Sequence, residues 1–66
     1  MPHQVVAMFT RNEELLPPVN VEIEGKETAE EVFEKAQGLS EETKGASPAM
    51  ILTPEGRMIW YDAHVL

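Results

Sequence analysis

The chain has 66 residues and no cysteine, and twelve Asp and Glu against five Lys and Arg give a net charge of −7. Such a length supports one small α+β domain over residues 1–66, with a thin core and a net stability of roughly 3–5 kcal/mol. The acidity argues against direct binding to nucleic acid or to anionic membranes, since both require a basic surface. The sequence has no cysteine, no apolar leader and no apolar run long enough to span a membrane, so we expect a cytoplasmic protein.

Two strands are predicted in the first third of the chain. The first covers residues 4–11 and has apolar side chains on both faces: Val5, Ala7 and Phe9 on one, Val6 and Met8 on the other. Residues 12–18 are expected to form a loop, because neither of its paired prolines can donate a ladder hydrogen bond. Residues 19–24 then alternate strictly, which predicts a strand with Asn20, Glu22 and Glu24 facing water.

One helix is predicted after Gly25. Thr28 followed by Glu31 forms a capping-box pattern, and the apolar residues after it recur at helical spacing: Ala29, Val32, Phe33 and Ala36. Glu31 and Lys35 are spaced to form a favourable pair one turn apart. Gly38 is expected to end the helix in a left-handed conformation, with Leu39 folding back on the last turn.

A hairpin closes the predicted fold. Residues 49–53 form an apolar strand, Pro54, Glu55 and Gly56 form a turn with a bulge, and the returning strand runs from residue 57 to about residue 64. Strict alternation along this last strand places Met58 and Trp60 on one face, together with Asp62 and His64.

The resulting order is strand, strand, helix, strand, strand, in which one helix covers one face of a four-stranded mixed sheet. The stretch VNVEIEGKETAEEVFEKAQGLS, residues 19–40, resembles the corresponding part of the β-grasp, or ubiquitin-like, superfold. This resemblance concerns topology, and it implies non-covalent protein binding as the expected use. The chain ends in Ala-His-Val-Leu, so it departs from the Gly-Gly tail of the conjugated members of that superfold.

Catalytic groups are sparse. Pro2 would become the N-terminal residue after removal of Met1, as in a tautomerase superfamily that uses such a proline as its base, but the order of strands and helices differs. Asp62 and His64 share a strand face, yet a triad or metal site needs a third convergent group. No carboxylate spacing typical of a calcium loop and no phosphate-binding glycine loop is present, so neither a metal nor a cofactor is expected.

The surplus of apolar residues predicts a non-enzymatic protein-binding module or small adaptor. Trp and Met are favoured at interface cores, and charges at a rim provide steering. The predicted contact residues are the apolar anchors Leu15, Leu16, Met58 and Trp60 and the acidic rim Glu22, Glu24, Glu30 and Glu34. The partner is expected to be a basic protein or a second copy of the chain. The alternatives are an acidic inhibitor that mimics nucleic acid, and a small enzyme that uses Pro2 or the Asp62 and His64 pair.

Overall fold

A computed structural model describes residues 3–61 of the chain and shows an α+β fold, as the sequence predicts. One α-helix packs on a sheet of five strands. In chain order the elements are β1 His3–Arg11, β2 Glu14–Leu15, β3 Val19–Ile23, α1 Ala29–Leu39, a 3₁₀ turn Glu41–Thr43, β4 Ser47–Leu52 and β5 Met58–Tyr61.

Strand β1 lies at the centre of the sheet. It pairs with β4 along one edge, and β5 pairs with the far edge of β4. Along the other edge of β1, β3 pairs with its first half and the two-residue β2 with its last two residues. All four pairings within residues 3–61 are antiparallel, whereas the sequence analysis predicts a mixed sheet. Strands β3 and β4 do run in the same direction, but β1 separates them.

The fifth strand, β2, arises where the sequence analysis predicts only a loop. Asn12 and Glu13 both adopt left-handed backbone conformations, with φ of 52° and 66°. Two consecutive residues of this kind form the tight turn whose twist suits a β-hairpin. The turn brings Leu15 opposite Thr10 and allows the Leu16 amide to donate to the Phe9 carbonyl at 2.8 Å.

The core lies between α1 and the sheet. Val5, Ala7 and Phe9 of β1 are buried against Val32 and Phe33 of α1. The rings of Phe9 and Phe33 meet edge to face, with centroids 5.3 Å apart. The predicted inward face of β1 and the predicted apolar stripe of the helix are therefore confirmed.

The start of α1 is confirmed in detail. The Thr28 hydroxyl accepts from the Glu31 amide at 3.3 Å, and the Glu31 carboxylate accepts from the Thr28 amide at 2.9 Å. The hydrogen bond from the Thr28 amide and, to a smaller extent, the contact with the Thr28 side chain lower the pKa of Glu31. Because Glu31 is engaged in the cap, the predicted Glu31 and Lys35 pair is not made, and the Lys35 ammonium lies 2.8 Å from Glu27 instead.

The predicted end of α1 is wrong by about two residues. The helix continues through Gly38 and Leu39, and Ser40 caps it by donating its amide to the Ala36 carbonyl at 3.1 Å. Gly38 is not among the residues with positive φ. Leu39 does not fold back on the helix, since its side chain is 67% exposed.

The predicted position of Trp60 is also wrong. Gly56 has a φ of 92°, as expected for the turn, but the β4 and β5 ladder shifts register between Ile51 and Leu52. Met58 pairs with Leu52, and Trp60 pairs with the buried Ile51. Opposed residues share a sheet face. The irregularity therefore turns Trp60 towards the helix, whereas strict alternation places it with Met58.

Candidate functional site

We call the face of the sheet away from α1 the bare face, and a strip of apolar residues runs across it. The strip has five members, which are Val6, Met8, Met50, Leu52 and Met58. Those on β1 and β4 alternate with core residues, and the members face one another across the ladders: Val6 opposite Leu52, Met8 opposite Met50, and Met58 opposite Leu52. Met58 is 49% exposed, and the other four are half-buried by one another. None of the five belongs to the core cluster beneath α1.

Polar and apolar residues border the bare face on the side of β2 and β3. Glu22 lies opposite Gln4, and Asn20 lies opposite Val6, so both side chains share this face and are exposed. At the other end, Leu15 lies opposite Thr10 and is 53% exposed. Three of the predicted contact residues, Leu15, Met58 and Glu22, therefore lie on the bare face.

The remaining predicted contact residues lie elsewhere. Leu16 is half-buried against the core, and Glu24 follows the end of β3 and forms an exposed ion pair with Lys26 at 3.4 Å. Trp60, Glu30 and Glu34 lie on the opposite side of the sheet, beside α1. The structure thus divides six of the eight predicted contact residues between two surfaces and places Leu16 and Glu24 on neither.

The second surface is a groove between α1 and the hairpin of β4 and β5. The helix lies mainly over β3 and, to a lesser extent, over β1. Trp60 partly fills the space that remains, with its ring centroid 5.0 Å from that of Phe33. We call the space on one side of the indole the Trp60 groove; its volume is about 460 Å³ and it is lined by Ala29, Glu30, Phe33, Glu34, Gln37, Pro48 and Trp60.

Glu27 has the most strongly perturbed carboxyl group among residues 3–61, and sequence reasoning missed it. Its two oxygens accept from the backbone amides of Glu24, Gly25 and Lys26 at 3.0–3.1 Å and from the Lys35 ammonium at 2.8 Å. The hydrogen bond from Lys35 and, to a smaller extent, those from the backbone amides lower the pKa of Glu27 to about 2. The same contact raises the pKa of Lys35.

Glu27 also lines a smaller groove of about 250 Å³ on the other side of Trp60. A titratable group beside a cavity is a feature of active sites. Here, however, the carboxylate has a very low pKa and its oxygens are occupied by backbone donors, so it is a poor proton acceptor at neutral pH. The arrangement fastens the loop between β3 and α1. No motif in the sequence signals these contacts, because the three backbone amides come together only when the loop folds.

The proposed catalytic residues Pro2, Asp62 and His64 lie outside the described residues. Within residues 3–61, no group of three His, Asp or Glu side chains could hold a metal ion. In the same part of the chain, no helix is both long and apolar enough to cross a bilayer.

No protein-family model matches the chain, and no curated protein or solved structure is significantly similar to it. The β-grasp resemblance accordingly stays a prediction.

Proposed function

We propose that the chain is a non-enzymatic protein-binding module whose contact surface is the bare face. The observation that carries the proposal is the apolar strip across β1, β4 and β5, on the side of the sheet that α1 does not cover. Three of its five members are methionines, which adapt their shape to different partners. Contiguous apolar surface of this kind is typical of interaction sites in small proteins.

Charge supports a basic partner. The chain carries a net charge of −7, and the exposed Glu22 lies on the bare face beside the apolar strip. Rim charges of one sign accelerate encounter with a partner of the opposite sign and disfavour partners of the same sign. In this proposal the methionines supply the contact area, and Glu22 together with the net negative charge selects the partner. A second copy of the chain would have to overcome the repulsion between two negatively charged chains.

The β-grasp resemblance is part of the proposal. The longer elements, β1, β3, α1, β4 and β5, follow the predicted order of strand, strand, helix, strand, strand. The antiparallel pairing of β1 with β4 and the additional strand β2 are the features in which the sheet departs from the predicted four-stranded mixed sheet.

Two adjacent residues of β5 provide a matched test. Met58 is 49% exposed and lies on the bare face, whereas Ile59 is 54% exposed and lines the smaller groove on the helix side. Met58→Glu and Ile59→Glu add the same charge at nearly the same exposure. We expect a partner captured from a lysate of the source cells, or a dimer seen by sedimentation, to be lost with Met58→Glu and kept with Ile59→Glu.

Equal retention by both variants would contradict the proposal, as would a wild-type chain that remains monomeric and captures nothing. The two variants should also have similar unfolding midpoints, because both residues are half-exposed before substitution. Circular dichroism with urea checks this point, so a loss of binding is not confused with a loss of folding.

Charge also favours a second candidate, an acidic inhibitor that mimics nucleic acid. Such an inhibitor binds through many charge contacts, so its complex should dissociate steeply as salt rises to about 0.5 M. A complex held by the bare face should be nearly unchanged over the same range. Salt elution of a captured partner therefore decides between the two candidates.

A further inference from the structure

The Trp60 groove combines an aromatic wall with an acidic lip. Phe33, Pro48 and the half-buried Trp60 supply the apolar surface. Its volume of about 460 Å³ lies within the range of pockets that hold small ligands or a few side chains of a peptide. The groove lies on the helix side of the sheet, so it is separate from the bare face and does not depend on the function proposed there.

Two glutamates of α1 stand at the edge of this groove. Glu30 and Glu34 are one helical turn apart and both are exposed. Like charges at this spacing disfavour a helix. Neither carboxylate forms an ion pair within residues 3–61, where the pairs of Glu24, Glu27 and Glu41 are with Lys26, Lys35 and Lys44. Among the described residues, the lip thus carries two carboxylates without a cationic partner next to an aromatic surface.

We propose that the Trp60 groove binds a basic segment of a partner protein by means of an arginine or lysine side chain. The aliphatic stem of such a side chain lies along the Trp60 and Phe33 rings, and its cationic end meets the carboxylates of Glu30 and Glu34. Long basic side chains combine an apolar stem with a charged head, and arginine also stacks on indole faces. Carboxylates are the matching acceptors for the head group.

Charge complementarity selects this occupant over others. A segment rich in Asp or Glu, or a nucleic acid strand, would place negative charge against Glu30 and Glu34. A purely apolar segment would leave both carboxylates without a partner at the edge of the contact. A basic segment satisfies both parts of the groove.

Trp60 is the only tryptophan of the chain, so its fluorescence reports on the groove directly. The probe is a capped synthetic peptide in which arginines alternate with leucines, compared with the same peptide carrying glutamate in place of arginine. We expect a saturable change in Trp60 emission with the arginine peptide and none with the glutamate peptide.

A charge-matched pair of double variants tests the role of the lip. Glu30→Gln with Glu34→Gln should raise the Kd of the arginine peptide roughly 5- to 10-fold, as for two exposed charge contacts. Glu41→Gln with Glu42→Gln removes the same charge from the exposed 3₁₀ turn and should change the Kd by less than about twofold. All four residues are exposed, so both variants are expected to fold.

Three results would overturn the proposal. The first is an arginine peptide that leaves the Trp60 emission unchanged. The second is an equal rise in Kd for the two double variants, which would indicate general attraction to an acidic chain. The third is a set of backbone amide shifts, measured by NMR with the same peptide, that centres on Met8 and Met50 instead of α1 and Trp60.

Discussion

The two faces of the sheet differ sharply although they are built from alternate residues of the same strands. On β1, Ala7 and Phe9 are fully buried beneath α1, while Val6 and Met8 are only half-buried by their neighbours. The covered face is closed by rigid groups, since Phe33 contacts the rings of both Phe9 and Trp60 edge to face. The bare face is formed largely by flexible methionines. The helix thus closes one face, and the other is the contact surface in our proposal.

The covered face is itself uneven. Helix α1 packs over β3 and β1. On this side, Glu27 in the preceding loop accepts a hydrogen bond from Lys35 of the helix. Trp60 of β5 occupies part of the space that the helix leaves over β4 and β5. The Trp60 groove exists because a single helix, about 10 Å across, is too narrow to cover all the strands of the sheet.

The largest expected effect compares two neighbours in the sequence. Phe9→Ala removes a fully buried ring and should destabilise the chain by about 3–5 kcal/mol, which is close to its whole stability. Met8→Ala removes a side chain from the bare face and should cost about 1 kcal/mol or less. Urea unfolding followed by circular dichroism measures both. Similar losses for the two variants would show that both faces are core.

A smaller effect on stability depends on pH and concerns the loop that leads from β3 into α1. The pKa of Glu27 is lowered from its usual value of 4.5 to about 2 in the folded chain. The stability that the ionised carboxylate provides is thus fully present above pH 4.5 and is lost as the pH falls towards 2. Glu27→Gln should lower the unfolding temperature at pH 7, and the difference from the wild type should close on acidification.

Glu24→Gln is the control for that experiment. Glu24 is a neighbouring glutamate whose side chain forms only an exposed pair with Lys26. Its replacement should change the unfolding temperature little at any pH. If the curves of Glu27→Gln and of the wild type remain parallel from pH 7 to pH 2, Glu27 does not hold the loop as described.

The smallest effect is a gain in stability at the turn that presents Leu15 to the bare face. Glu13 has a φ of 66°, which is unfavourable for a residue with a side chain and natural for glycine. Glu13→Gly should stabilise the chain by roughly 0.5–1 kcal/mol. Glu14→Gly, one residue later in β2, should destabilise it instead. Thermal unfolding at fixed pH distinguishes the two, and a loss with Glu13→Gly would contradict the assigned turn.

Much of the fold follows from local patterns. The strict alternation of residues 19–23, the apolar stripe of α1 and the Thr28 capping box each predict their element correctly, because each depends on neighbours in the sequence. The bare-face positions of Val6, Met8 and Met58 are predicted for the same reason.

The errors arise where the structure depends on more distant residues. The turn at Gly56 is predicted with its bulge, yet the register shift that follows is set by pairing with β4 and reverses the face of Trp60. Strand β2 depends on an Asn and Glu turn without the glycine that normally marks it. The Glu27 contacts need a loop that brings three amides together, and no spacing in the sequence shows this.

Solvent access to the methionine methyl groups tests the central claim most directly. In an NMR experiment with a dissolved nitroxide, at a protein concentration where sedimentation shows a monomer, we expect the methyl signals of Met8, Met50 and Met58 to broaden, while those of the buried Val21 and Val32 stay sharp. Methyl groups of Met8 and Met50 that are protected as fully as those of Val21 would mean that the bare face is covered in the free chain. The proposed contact surface would then not exist.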